Sequence, residues 1–394
     1  MWTIIAIIIG IWMLMTLVII HELGHFWAAK KMWVKVLEFG VWIPPKATTL
    51  WTDKDGTSYT LNRIPLWGFV RLKGENPDDE EEFLANDSLI TATLWSKIVI
   101  LLAGITMNFI ATYLIFVVVF MVGVTPLSIV PDTSISNASY LSPTVASLQS
   151  KWYTDGDITQ QAAIVQDVLS SSRAQQQWIV SWDRIVSVWW VSMWLYDILM
   201  NLSQLSGSLQ LGVEKADWTV VSYGYICSDT PCQLWVSFAR PLFNRVQLGH
   251  QAWWAAWSEL TYQSSAMMRG LGRIGASLIS FDAQTTANGL KMMSGPAGVI
   301  KIGQDIINTR GRSAYLAFAW LISLSLALFN LLPIPALDGG RVVWSIIQVV
   351  GRFKPQKYFV IENYINMFFF IALMALWIYV LWQDLVRAWG LFGG

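Results

Sequence analysis

Four stretches of this 394-residue chain are apolar for long enough to cross a lipid bilayer, and this constrains the fold more than any other feature. A spanning helix needs about 20 mostly apolar residues. The first stretch runs from Thr3 to Ile20 and on through His21-Glu22-Leu23-Gly24-His25 to Ala29. The others run from Ile98 to Val124, roughly from Ser313 to Pro333, and roughly from Met367 to Trp382. The first lacks a basic leader and a small-residue cleavage site, so it is expected to be retained as a membrane anchor. Composition agrees: 55% of residues are hydrophobic and 13% charged, outside the range of ordinary soluble domains. A net charge of zero gives no sign of a nucleic-acid partner.

Basic residues near span ends set orientation. Lys30, Lys31 and Lys35 follow the first span, Lys97 precedes the second, and Arg341, Arg352, Lys354 and Lys357 lie between the third and fourth. All are cytoplasmic if the N-terminus is outside, which makes the loop between spans two and three, about 190 residues, extracytoplasmic. In that loop Ile179-Val180, Arg184–Val188, Thr219–Val221 and Leu234–Phe238 read as strands and Gln160 to Leu169 as helix, predicting one small α+β domain. Residues 36–72 read as strands broken at Pro44-Pro45 and Asp55-Gly56, and Glu75 to Asp87 as a solvated acidic loop. Leu248 to Thr309 reads as helical and partly amphipathic. Cys227 and Cys232 form either one local disulfide or two free thiols.

His21-Glu22-Leu23-Gly24-His25 is an HExxH pattern. Positions i and i+4 share a helix face, so both imidazoles can reach one Zn²⁺, and the intervening Glu can act as general base. The competing reading is a buried polar cluster or a helix-end cap. Ionisable residues inside a membrane helix are costly, which favours function. A catalytic zinc commonly takes three protein ligands. The remaining histidine, His250, falls on the external side; Asp338, in Asn330-Leu331-Leu332-Pro333-Ile334-Pro335-Ala336-Leu337-Asp338-Gly339-Gly340, is the better third candidate. Taken alone, Asp338 is equally a turn residue before Gly-Gly.

These two motifs together resemble the site-2 protease family of intramembrane zinc metalloproteases. Tyr59–Leu66, Phe69–Glu75, Ala103–Phe109 and Ser294–Gly298 are similar to its bacterial, PDZ-containing branch, and Asp183–Val188 is similar to a PDZ strand. The resemblance implies a multi-pass α-helical membrane protein of about four transmembrane helices, with a membrane-associated β-loop and one extracytoplasmic α+β PDZ-like domain. The implied divisions are 1–30 (first helix), 31–96 (β-loop and acidic loop), 97–124 (second helix), 125–241 (PDZ-like domain), 242–312 (amphipathic linker), 313–340 (third helix with the LDG motif) and 341–394 (cytoplasmic loop, fourth helix and tail). It also implies that His21, His25 and Asp338 hold Zn²⁺, that Glu22 is the base, and that Asn108 and Asn330 bind substrate or line the site. The expected activity is cleavage of transmembrane segments of single-span proteins in regulated intramembrane proteolysis, in a bacterial inner membrane, with an unidentified PDZ ligand. Membrane-anchored anti-sigma factors and leftover signal peptides are substrate classes that the family suggests. The competing functions are a catalytically inactive PDZ-bearing scaffold, which predicts a missing ligand or base, and a membrane metalloenzyme of another reaction type.

The chain holds 24 Trp, about four to five times average usage. Trp33, Trp42, Trp67, Trp182 and Trp190 stand where the resembling family shows Gly. A gene whose UGA codons mean glycine, translated with UGA as Trp, would give this pattern. The other reading is a set of interfacial aromatic belts, which accounts for Trp near span ends but not for Trp182 or Trp190 in a soluble domain.

Overall fold

A computed structural model of the chain describes residues 2–75, 85–124, 127, 139–142, 163–168, 173–176, 179–188, 191–193, 198, 207–227, 236–238, 249–280, 295–353 and 355–389. Trp190, Cys232 and most of the acidic run 75–87 lie outside them. The described residues fall into two units. One comprises residues 1–115, 263–304 and 319–394; the other comprises 116–262 and 305–318.

Among the described residues, four helices are long and apolar enough to cross a membrane, within Ile8–Lys31, Leu94–Val122, Arg312–Asn330 and Tyr358–Asp384. They belong to α1 (Trp2–Lys31), α2 (Leu94–Val122), α6 (Arg312–Asn330) and α8 (Pro355–Trp389). Large apolar side chains of α8, including Met367, Phe368, Ile371 and Trp382, are exposed, as a lipid-facing helix requires.

In the first unit, β1 (Val36–Thr52) and β2 (Ser58–Leu72) pair antiparallel and each bends back on itself. Residues 36–41 pair with 68–72 on one side, and 38–41 pair with 58–61 on the other; 46–52 pair with 58–62. Pro44-Pro45 lies where β1 passes from one pairing to the next, because proline cannot supply a ladder N–H. Residues 68–72 are thus an edge. Phe26 and Ala29 of α1, Val36 and Phe39 of β1, Leu72 of β2 and Ile100 of α2 close one buried cluster, which fixes the sheet against the C-terminal half of α1.

The third apolar stretch ends where its prolines fall. It is not one helix through the Asp338 motif: α6 stops at Asn330, residues 331–337 form a loop, and Asp338 opens α7 (Asp338–Val350). Pro333 and Pro335 cannot donate helical N–H groups, which ends α6. Asn366 of α8 accepts a hydrogen bond from the Ala336 amide at 3.0 Å. Ahead of the fourth apolar helix, where a loop was expected from 341 on, α7 runs to Val350 and α8 opens at Pro355. Gly295–Gly298, the described part of a segment that carries the resemblance, also acquires a physical role. The amide of Gly298, at the start of α5 (Pro296–Arg310), donates to the buried Asp384 carboxylate of α8 at 2.8 Å. A β-carbon at Gly295 or Gly298 would press on that carboxylate, so small residues and a helix N-terminus together make the anion seat.

In the second unit, β3 (Ala163–Val168), β4 (Arg184–Val188), β5 (Val191–Ser192), β6 (Gly207–Glu214), β7 (Val220–Cys227) and β8 (Val236–Phe238) form one sheet. Its order is β7-β6-β4-β3-β8, with β5 on β4. Leu209, Leu211 and Val213 alternate inward on β6 and meet Ile185, Val188 and Tyr225 in a buried core. A single-turn helix, α3 (Arg173–Gln176), adds Ala174 to this core. The helix expected over 160–169 is corrected to strand over 163–168. The short apolar run fits either period, and burial of Ala163 and Val165 two apart settles it as strand. Ile179-Val180 is likewise not strand but leads into the turn 180–183, the Val180 amide donating to Asp183 at 2.8 Å. Burial pulls the Lys215 ammonium down, but the Asp183 carboxylate at 2.6 Å outweighs it and the net shift is upward. The long helix α4 (His250–Ile279) follows.

Candidate metal centre

His21 and His25 lie one turn apart on α1, both buried, with ring centroids 4.8 Å apart. Their Nε2 atoms approach to 3.1 Å. Asp338, 317 positions away in sequence from His21, places Oδ2 at 3.0 Å from His21 Nε2 and 3.5 Å from His25 Nε2. Three ligand atoms on one tetrahedral zinc, with metal–ligand bonds near 2.0–2.1 Å, stand about 3.3 Å from one another. The triangle of His21, His25 and Asp338 has that size. Two imidazoles and a carboxylate are also an ordinary donor set for zinc and leave a fourth position free.

The surrounding residues explain why the triangle forms. Gly104 of α2 faces it: a β-carbon there would collide with His25 Nε2 and lie 2.8 Å from His21 Cε1. Gly24 on α1 abuts the backbone of Ala103 and Gly104, so two small residues let the helices meet closely. One turn beyond Gly104, Asn108 is wholly buried with Nδ2 3.4 Å from His21 Nδ1, while its Oδ1 is buried without a partner. An imidazole that coordinates through Nε2 keeps its proton on Nδ1 and needs an acceptor there. Turning the Asn108 amide by 180° supplies Oδ1 as that acceptor. His25 Nδ1 donates to the Ile100 carbonyl at 2.8 Å. Asn330, the last residue of α6, sets Nδ2 3.3 Å from His21 Nε2. Asp338 sits in the first turn of α7, where the helix dipole favours an anion. Gly339 and Gly340 pack against the carbonyls of Leu331, Leu332 and Ile334, so α7 can begin tight under the loop.

Glu22 stands next to His21 on α1. Its Oε2 accepts a hydrogen bond from the amide of Val70 at 3.1 Å, on the sheet edge 68–72. The sequence-derived residues His21, His25, Asp338, Asn108 and Asn330 are thus brought together, with Glu22 beside them.

A sequence description of peptidase family M50 matches residues 9–373. The chain belongs to peptidase family M50. Among its relatives, a Clostridium perfringens protein bearing the name zinc metalloprotease is 25% identical over 376 residues, which is 94% of this chain and 95% of the relative. One from Nostoc with the same style of name is 24% identical, covering 89% of this chain and 88% of the other. A Vibrio cholerae protein so named reaches 35% identity over 129 residues, 32% of this chain and 26% of its own. This M50 chain is accordingly an integral membrane protein whose described residues include four apolar helices and two β-sheets.

Residues missed by sequence reasoning also bear on the M50 site. Arg341, one turn after Asp338, pairs with Glu75, which follows the edge strand. Asp87 is held below the usual carboxylate range by the Lys73 ammonium 2.7 Å away, which anchors the same loop. No motif marks either pair in sequence. Gly104 lies within the segment Ala103–Phe109 that carries part of the resemblance, but its contact with the imidazoles has no signal in sequence. Gly104→Ala is expected to weaken zinc binding about 10–100-fold, as loss of ligand support does. Competition with a chelator measures it, and unchanged affinity would remove Gly104 from the site.

Proposed function

We propose that His21, His25 and Asp338 hold the zinc ion of this M50 protease and that Glu22 is its general base. The enzyme is an intramembrane zinc metalloprotease, and regulated intramembrane proteolysis is the general function of the family. The observation that carries the residue assignment is the ligand triangle, with sides of 3.0, 3.1 and 3.5 Å, between α1 and the start of α7. Zinc bound there supplies a Lewis acid that polarises the scissile carbonyl. Glu22 takes a proton from the attacking water and returns it to the leaving amine. Asn108 fixes the His21 ring, and Asn330 lines the free side.

A transmembrane substrate arrives as a helix whose peptide groups are shielded by their own hydrogen bonds. It must be unwound before attack. The edge strand 68–72 offers replacement backbone bonds by strand addition and lies next to Glu22. The substrates are single-span membrane proteins of a bacterial inner membrane. The sheet of the second unit is read as a PDZ-like domain on the extracytoplasmic side that filters them. With both imidazoles, the carboxylate and the base all present, the inactive-scaffold reading loses its premise.

The activity test is metal removal. Protease in proteoliposomes is dialysed against a chelator, and cleavage of a single-span reporter is followed before and after zinc is restored. Cleavage is expected to vanish and to return. Cleavage that persists in the zinc-free enzyme would rule out metal-dependent proteolysis here.

A further inference from the structure

Among the described residues, seven non-glycine residues have positive φ, and five of them are tryptophan: Trp33 (61°), Trp42 (73°), Trp67 (59°), Trp182 (77°) and Trp218 (66°). With 24 Trp in 394 residues, seven positions drawn at random would contain fewer than one. Bulky L-residues avoid this region because Cβ clashes with the backbone, whereas glycine enters it freely.

Each site also carries a local reason for glycine. At the end of α1, the Val34 amide bonds to the Ala29 carbonyl at 3.0 Å and the Trp33 amide to the Lys30 carbonyl at 3.4 Å. That is a Schellman ending, and residue 33 is its left-handed position, the usual place of a helix-stopping glycine. Trp182 is third in the turn 180–183, closed by the Asp183 amide on the Val180 carbonyl at 3.2 Å. A turn whose third residue has φ near +80° is built on Gly. Trp218 follows Asp217 in the hairpin between β6 and β7, where the Lys215 amide meets the Thr219 carbonyl at 2.8 Å. The Trp218 amide also closes a turn on the Lys215 carbonyl at 2.9 Å, so residue 218 is the left-handed bulge position of a three-residue loop, where glycine is favoured. Trp42 and Trp67 fall at register shifts between β1 and β2, where a bulge seats glycine in the left-handed region.

Three of the indoles project into open space, whereas the Trp67 ring meets Trp377 edge-on with centroids 6.3 Å apart. Trp33, Trp182 and Trp218 are 87%, 73% and 78% exposed. The Trp42 Nε1 is buried with no hydrogen-bond partner among the described residues. An aromatic belt would not seek left-handed backbone, nor occur in the sheet of the second unit that carries Trp182 and Trp218.

We infer that positions 33, 42, 67, 182 and 218 are glycine in the protein its own cells make, the codon UGA being read there as glycine. Trp218 extends the set beyond the positions suggested by sequence alone. Two of the five, 42 and 67, belong to the sheet whose edge meets Glu22, so this surface is free of two indoles in the functional enzyme.

Peptide mass spectrometry of the membrane protein from its source cells tests the inference, together with the codons at the five positions. Expected are UGA codons and peptides lighter by the Trp-to-Gly difference. Tryptophan at any one position overturns its assignment, and tryptophan at all five overturns the proposal. Expression in a host with the standard code gives an independent arm. The chain with Trp33→Gly, Trp42→Gly, Trp67→Gly, Trp182→Gly and Trp218→Gly should accumulate to several-fold higher levels and unfold at a higher temperature than the all-Trp chain. Equal or lower yield and midpoint would count against it.

Discussion

Replacing Glu22 by Gln is expected to lower cleavage about 10²–10⁴-fold while zinc content stays unchanged. The amide has the size of the carboxylate and can still accept from the Val70 amide, 3.1 Å away in the wild type. It cannot take up a proton at neutral pH. None of the three ligand atoms belongs to Glu22, so the triangle of His21, His25 and Asp338 should persist. Single-turnover cleavage of a single-span reporter in proteoliposomes, paired with metal analysis of the same sample, separates the two effects. Zinc lost along with cleavage would make Glu22 a structural residue. Cleavage equal to wild type would end its assignment as base.

How much of this was legible follows from the range of the physics involved. The HExxH pairing is local: one helical turn puts His21 and His25 on one face, so the motif and its place in an apolar run suffice. Spans were legible for the same reason, since about 20 apolar residues have few other uses. Asp338 was different. Its approach to His21 spans 317 positions, and only the joint appearance of two motifs singled it out. The break before it was visible as Pro333 and Pro335, yet the restart of a helix at Asp338 was not, because the two glycines that permit it read equally well as a turn. Residues 163–168 went wrong because six residues fit two periods and only burial decides between them. The support from Gly104, Ile100 and Arg341 was illegible because it depends on which backbone and side chains arrive from other elements. The tryptophans were the reverse case. Their misfit was visible as a residue type in the wrong place, and backbone angles supplied the cause.

The second large effect is expected from Asp338→Ala, which should abolish stoichiometric zinc and cleavage together. Two imidazoles alone leave the metal two protein bonds. Even loss of a partner that merely orients a ligand costs about 10–100-fold in affinity, so loss of a ligand itself should exceed that. The fold should survive. Asp338 occupies the first turn of α7 without capping it by its side chain, and a first-turn carboxylate is worth about 0.3–1 kcal/mol through the helix dipole. Gly339 and Gly340, which seat α7 beneath residues 331–335, are untouched. Thermal unfolding in detergent without added metal should therefore move little between wild type and variant, while the upward shift on adding zinc should appear in wild type only. Glu22→Gln should keep that shift, so the pair of variants divides the site into a part that holds metal and a part that moves protons. A zinc-dependent shift of wild-type size in Asp338→Ala would place the third ligand elsewhere, and the union of α1 with the start of α7 would no longer explain the enzyme.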